Sequence, residues 1–205
     1  MSSTNRSDAR NSHISDYYVT PQDCIREFFH HWFIDLRGKF SNDTLRVGYH
    51  PEKVRWLDPC AGGDSKNEMS YPSVIVKEFN PNVVDTLDIR ETSLAEVKED
   101  YLTWDRGGCE YDVIITNPPF NLARSIIEKA LEDVSDGGYV IMLLRLNYFG
   151  SKDRFSFWKD QLPKWAYVHH RRMSFTDDGK TDSIEYMHAV WQKGEKPDFT
   201  MLKVI

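Results

Sequence analysis

Cysteine is scarce in this chain. Cys24, Cys60 and Cys109 are the three present, and they show no paired spacing. That excludes a disulfide framework and fits a reducing compartment, so the expected location is the cytoplasm. Long apolar runs are missing as well. None approaches the roughly 20 residues of a membrane-spanning helix, and the first residues have no secretory apolar core. Basic charge is not in excess either: the net charge is -6 and the isoelectric point is near 5.6. A protein that grips nucleic acid through bulk charge is usually basic, so any such partner has to be met locally. The seven histidines include the pairs His30-His31 and His169-His170, neither with a cysteine or carboxylate at ligand spacing. No metal is expected.

What is present is the make-up of a soluble globular chain, 40% hydrophobic and 28% charged. Residues 1-15 are polar and aperiodic and read as a flexible tail, which leaves 16-205 as one domain without a separate target-recognition domain. Thr20 as N-cap, Pro21 and Asp23 open a predicted amphipathic helix. Its apolar face is Ile25, Phe28, Phe29, Trp32, Phe33 and Leu36, and Gly38 is expected just past its end. Strands are predicted at Val54–Leu57, Val83–Ile89, Tyr111–Thr116, Tyr139–Leu144, Trp165–His169 and Tyr186–Trp191. Helices are predicted after Pro72, over Leu122–Val134 with Gly137-Gly138 as its breaker, and over Lys152–Gln161, with a helix or turn at Leu94–Glu99. Strands alternating with helices imply an α/β fold with a mostly parallel sheet.

Three stretches carry chemistry. Asp58-Pro59-Cys60-Ala61-Gly62-Gly63 puts a carboxylate at a strand end before a glycine turn, which lets backbone approach a nucleotide-like ligand. Asp88, followed by Ile89 near the next strand end, can accept both hydroxyls of a ribose. Asp100-Tyr101 repeats the pattern, with a carboxylate for an adenine amine and apolar neighbours for the ring.

Asn117-Pro118-Pro119-Phe120 is the sharpest signal. An aromatic amine is a poor nucleophile because its lone pair is delocalised. Two acceptors aimed at its hydrogens favour the reactive pyramidal form. The Asn117 side-chain oxygen and the Pro118 carbonyl supply them, the carbonyl being released because the proline pair cannot continue a sheet. Phe120 offers a face for the base. A sulfonium donor loses its charge as its methyl leaves, so alignment and electrostatics suffice and no general base is required.

Thr20-Pro21 after Tyr17-Tyr18, Asp58-Pro59 with Gly62, Asp88, Asp100 and Asn117-Pro118-Pro119-Phe120 stand in the order seen in the N6-adenine DNA methyltransferases, in their gamma arrangement. Leu144–Asn147, Arg171–Thr176 and Gly179–Tyr186 look like small phage-type members of that family. The resemblance implies a Rossmann-like class I methyltransferase sheet of seven strands, with helices on both faces and an antiparallel last strand. It also implies S-adenosyl-L-methionine as cofactor, with Tyr18, Thr20 and Pro21 at its methionine end, and adenine N6 in DNA as substrate. Phage self-protection from restriction is the implied role. Asp64 stands where the family often has a third glycine. An RNA adenine or protein glutamine methyltransferase is the alternative enzyme, though glutamine enzymes usually carry Tyr in place of Phe120. A non-catalytic anti-restriction or regulatory module is the alternative of another class. The assembly is left open between monomer and homodimer.

A locally basic stretch fits a DNA partner. Arg145, Asn147, Lys152, Arg154, Arg171, Arg172 and Lys180 are its candidate contacts, with only Asp153 and Asp160 opposing between Arg145 and Arg172. Tyr148, Phe149 and Phe175 interleave them and suit a base taken out of the duplex. The loop from Arg171 to Ser183 is expected to be mobile without DNA.

Overall fold

The computed structural model describes residues 18–39, 50–175 and 183–205. The expected tail at 1-15, Lys180 and most of the loop before Ser183 lie outside these residues. Helices α1 (Gln22–Lys39), α2 (Ser70–Phe79), α3 (Ala123–Asp133) and α4 (Phe155–Asp160) flank seven strands. These are β1 (Arg55–Asp58), β2 (Val83–Thr86), β3 (Tyr111–Thr116), β4 (Val134–Arg145), β5 (Trp165–Val168), β6 (Tyr186–Gln192) and β7 (Met201–Val204). They form one sheet in the order β2-β1-β3-β4-β6-β5-β7. β6 runs antiparallel to both its neighbours, and the other pairings are parallel. The fold is therefore the expected Rossmann-like class I methyltransferase sheet, with the antiparallel strand at Tyr186–Gln192.

Both faces of the sheet are covered, which is why its middle strands are apolar almost without alternation. One face packs Leu57, Ile114, Val140 and Met142 against Ile126, Ile127 and Ala130 of α3 and Phe157 of α4. The other packs Trp56, Val113, Ile115, Ile141 and Tyr167 against Ile25, Phe28 and Trp32 of α1 and Tyr71, Val74 and Ile75 of α2. The helical period read in α1 is thus the period of an aromatic face lying on the sheet.

Several boundaries differ from the sequence reading. α1 begins at Gln22, with the Pro21 carbonyl accepting from Ile25 N at 3.3 Å. The Thr20 hydroxyl does not cap it and has a longer-range partner, described below. Gly38 lies inside α1, which continues to Lys39. α3 stops at Asp133, before the glycines, and Gly137-Gly138 belong to the irregular start of β4. Gly137 takes φ +75°, and a Cβ on Gly138 would stand 2.8 Å from the Asp112 carbonyl, so both glycines serve the strand rather than end a helix. Residues Leu94–Glu99 are neither helix nor hydrogen-bonded turn but an irregular, bent segment, in which Val97 bridges Leu87 beyond β2. β7 was not foreseen: it is a short, exposed edge strand whose alternation is too brief to read.

Ile127 is fully buried under the sheet. Ile127→Ala is expected to lower stability by about 2–5 kcal/mol, measured by chemical denaturation with an unchanged slope.

Candidate functional site

β1, β3 and β4 are parallel neighbours, so their carboxyl ends open on one edge, and the three sequence stretches meet there. Ligand crevices in open parallel sheets form at such ends. β1 delivers Asp58, which is 1% exposed. Its Oδ1 accepts from Cys60 N at 3.2 Å. Burial pushes the Asp58 carboxyl up to about 7, and hydrogen bonding from the Thr116 hydroxyl, then from the Cys60 amide, offsets only part of that. Thr116 is itself fully buried at the end of β3.

The turn after Asp58 is held from the β2 side. Ala61 N donates to the Leu87 carbonyl at 2.9 Å, and Gly62 N donates to Asp88 Oδ2 at 2.9 Å. Gly62 and Gly63 take φ +69° and +77°, and a Cβ on Gly63 would stand 2.9 Å from Leu94 and Met69. The turn is therefore closed to larger residues. Asp64, in place of a third glycine, accepts from Lys66 N and Asn67 N at 2.7 and 2.9 Å and closes the following turn.

Asp88 is buried, and its Oδ1 accepts from Arg90 N and Nε at 2.8 and 3.1 Å. Arg90 also donates to the Gly63 carbonyl at 3.3 Å. The sequence reading missed this arginine; its position two residues after Asp88 was the available signal. Ile89, beside it, is 41% exposed and offers an apolar surface. Asp100 accepts from Leu102 N at 3.0 Å. The Tyr101 ring, by contrast, is sunk in the core, its hydroxyl donating to Asp133 at 2.9 Å. It shapes the floor of the site rather than its open surface. Burial first, then the charges of Asp58, Asp88 and Asp100, push the Cys60 thiol well up. Three carboxylates thus converge on the one turn.

β3 delivers Asn117-Pro118-Pro119-Phe120 into the same crevice. Asn117 Nδ2 donates to Thr20 Oγ1 at 3.1 Å across 97 residues of sequence, and Thr20 is 1% exposed. The amide nitrogen being taken, Asn117 Oδ1 has no hydrogen-bond partner among the described residues. Pro118 and Pro119 leave the sheet; the Pro119 carbonyl accepts from Leu122 N at the start of α3, and the Pro118 carbonyl accepts no backbone bond among the described residues. The two sequence candidates Thr20 and Asn117 are one unit.

Phe120 is half-buried in an aromatic wall. Its ring centroid is 6.1 Å from Tyr186, which lies 4.9 Å from Phe175, which lies 5.8 Å from the exposed Tyr18. The Arg145 guanidinium covers one face of Phe120 at 4.4 Å. Of the basic candidates, Asn147 and Lys152 are exposed on the helical turns after β4. Arg154 donates to the Tyr148 carbonyl at 2.7 Å and lies 4.1 Å over that ring, so it braces the turn. Arg171 pairs with Glu27 at 3.4 Å and Arg172 with Glu185 at 3.5 Å. Both acids lie outside the basic stretch as read along the sequence, so the local excess of positive charge is smaller in space. No group of three or more metal-ligating side chains occurs among the described residues. No helix among them is long and apolar enough to cross a membrane.

No protein-family profile matches the chain, and no curated protein matches it in sequence. Solved structures do. A candidate class I S-adenosylmethionine-dependent methyltransferase from Listeria monocytogenes aligns with a TM-score of 0.61 at 13% identity, over 91% of this chain and 65% of that protein. A candidate RNA methyltransferase from Pyrococcus horikoshii aligns at 0.59 and 16% identity, over 87% of this chain and 88% of that one. The M protein of the type I restriction enzyme EcoKI aligns at 0.51 and 12% identity, over 70% of this chain and 40% of that one. The chain thus spans just under two thirds of the Listeria protein. At these identities the likeness establishes the class I methyltransferase fold.

Asp58 yields a pH prediction. Its folded pKa is raised from 3.8 to about 7, so the stability present when it is neutral is lost as pH rises through that window. Asp58→Asn is expected to raise the melting temperature of the ligand-free protein at pH 8 and to leave it nearly unchanged at pH 4. An equal shift at both pH values would contradict the burial of an ionised carboxylate.

Proposed function

We propose that this chain is an S-adenosyl-L-methionine-dependent methyltransferase acting on the exocyclic N6 of adenine in DNA. The observation that carries this reading is the Thr20–Asn117 hydrogen bond, which turns the asparagine oxygen away from its anchor beside the carboxylate-lined turn. The residues present suit the donor. The buried Asp58 carboxyl, raised by desolvation that its hydrogen bonds do not offset, suits a cation, and the donor carries an ammonium and a sulfonium. Asp88 suits ribose hydroxyls, Ile89 a flat ring, and Asp100 an adenine amine. Tyr18, Thr20 and Pro21 border the methionine end, with Pro59, Cys60, Ala61 and Gly62 as backbone walls. When bound, that donor supplies an electrophilic methyl group.

The chain's own residues then do the positioning. Asn117 Oδ1 and the Pro118 carbonyl accept the two amine hydrogens and favour the pyramidal nitrogen. Phe120, with Tyr186 beside it, supplies the aromatic surface that meets the base. The excess proton of the methylated amine leaves to water once the product is formed. Retained electrostatic alignment of this kind is worth several orders of magnitude in rate.

DNA is favoured over other acceptors by the aromatic wall, which suits an extruded base, and by Arg145 over Phe120; the exposed Asn147 and Lys152, with the glutamate-paired Arg171 and Arg172, are the further candidate contacts. Lys180 belongs to the same proposal. The structural neighbours include both a restriction M protein and a candidate RNA methyltransferase, so RNA is a required arm of the test. The test is transfer of label from the donor to duplex DNA, RNA and protein in parallel. Label in DNA adenine supports the reading, label confined to RNA or protein overturns the substrate, and failure to bind the donor at millimolar concentration points to a non-catalytic module.

Within that reading, Asn117→Ala is expected to lower kcat by about 10²–10³-fold with donor affinity little changed. Asp88→Ala is expected to weaken donor binding by roughly 10–100-fold, because it removes charged hydrogen bonds and frees the Gly62 amide. Stopped assays and calorimetry check the two separately.

A further inference from the structure

The two edges of the sheet are finished differently. At the β2 edge the backbone groups that turn outward are taken. The Thr86 carbonyl accepts from Val97 N at 3.1 Å, and Asp88 N donates to the Val97 carbonyl at 3.1 Å. β7 forms the other edge, with β5 as its neighbour. Met201 N donates to the Lys164 carbonyl at 3.1 Å, and Ile205 N to the Val168 carbonyl at 2.8 Å. The Ile205 carbonyl accepts from His170 N at 2.7 Å. Backbone polar groups alternate in direction along a strand, so Met201, Lys203 and Ile205 turn theirs toward β5. Leu202 and Val204 turn theirs outward, and these have no partner among the described residues.

Side chains alternate in step. Lys203 donates to Asp35 of α1 at 3.0 Å, and Ile205 enters the core under α1. Leu202 and Val204 therefore stand on the opposite face, in register with Ala166 and Val168 of β5, and are 59% and 61% exposed. Phe199, just before the strand, is 71% exposed. Open edges are usually guarded by an outward charge or a proline. Between Thr200 and Ile205 the one charged side chain is Lys203, and Asp35 holds it on the α1 face.

We propose that β7 is a self-association surface, pairing antiparallel with β7 of a second copy about a two-fold axis at Leu202. The register decides the occupant. Outward backbone groups must meet outward backbone groups, so Leu202 faces the partner's Leu202 and Thr200 faces the partner's Val204. Each of these pairs exchanges both of its backbone bonds. On the exposed face the two leucines pack together at the axis. On the α1 face Lys203 lies opposite the partner's Met201, so a lysine stem meets an apolar chain and no like charges oppose. An axis at Lys203 instead would set two lysines side by side and leave Thr200 unpaired. The strand is thus complementary to itself, as a two-fold contact requires. β4, β5 and β7 point the same way, because β6 is antiparallel to β4 and β5 and β7 is parallel to β5. An antiparallel partner reverses that direction, so the two candidate sites open on opposite edges of the joined sheet. Each protomer meets its own substrate. The contact is short, at the weak end of specific interfaces, so the dimer dissociates on dilution.

Sedimentation from micromolar to millimolar concentration reads the mass, and NMR hydrogen exchange reads each amide. The mass is expected to rise from 24.0 kDa toward twice that value. Exchange at Leu202 and Val204 is expected to slow by about tenfold over that range, while Met201, Lys203 and Ile205 exchange slowly throughout. Leu202→Pro removes an outward N–H alone, because the bonds to β5 use the residues on either side of it. That variant is expected to remain at the monomer mass with its methyl-transfer rate unchanged. Leu202→Lys, which puts like charges at the axis, is expected to do the same and serves where proline disturbs the strand. An unaltered chain that stays at the monomer mass overturns the proposal. So does a dimer that persists in both variants, or protection of Leu202 and Val204 at every concentration, which would mean that the chain covers its own edge. Mass and exchange are read without a methyl acceptor, so failure of the DNA reading leaves this test intact.

Discussion

One hydrogen bond organises the site: Asn117 Nδ2 to Thr20 Oγ1, at 3.1 Å and across 97 residues. An asparagine amide has two nearly isosteric ends with opposite polarity, so its usefulness as an acceptor depends on which end is held elsewhere. Thr20 holds the nitrogen. To do so it must sit rigidly beside β3, and the aromatic face of α1 on the sheet secures that. The packing of Phe28 and Trp32 and the orientation of a functional oxygen are in this sense one design.

Beside this lies a strained region. Asp58 is an almost fully buried carboxyl whose desolvation outweighs its hydrogen bonds, next to a glycine turn too tight for a Cβ on Gly63. Such arrangements lower the stability of the folded protein and persist where a ligand completes them. Asp88 shows the other strategy: both of its oxygens already have partners, in the Gly62 amide and Arg90, so the turn is shaped before anything binds.

Much of this was readable in the chain. Tyr111–Thr116 ending at a proline pair, and Ile25 to Leu36 on a helical period, are strong local patterns, and both lie where they were expected. The residues Asp58, Gly62, Asp88 and Asn117 were legible because their types match a chemistry. The partnerships were not. Thr20 looked like a helix cap because local spacing offers it that role, and only tertiary contact reveals Asn117 as its partner. Tyr101 looked like a ligand contact, yet its ring is core. Arg171 and Arg172 looked like free cations, yet Glu27 and Glu185 reach them from distant parts of the chain. His188 was hidden because one polar residue in an apolar strand has no pattern of its own. Its partners, Tyr71 and His169, come from other elements.

The central claim is that the Asn117 oxygen faces the site of methyl transfer. A crystal structure with a stable analogue of the donor tests it most directly. The account predicts the transferable position within roughly 6 Å of Asn117 Oδ1, which is one hydrogen bond of about 3 Å to the amine plus the ~3–3.5 Å approach of the reacting atoms. An analogue bound with that position turned away from residues 117–120, or Asn117 found with its nitrogen toward the ligand, would contradict it.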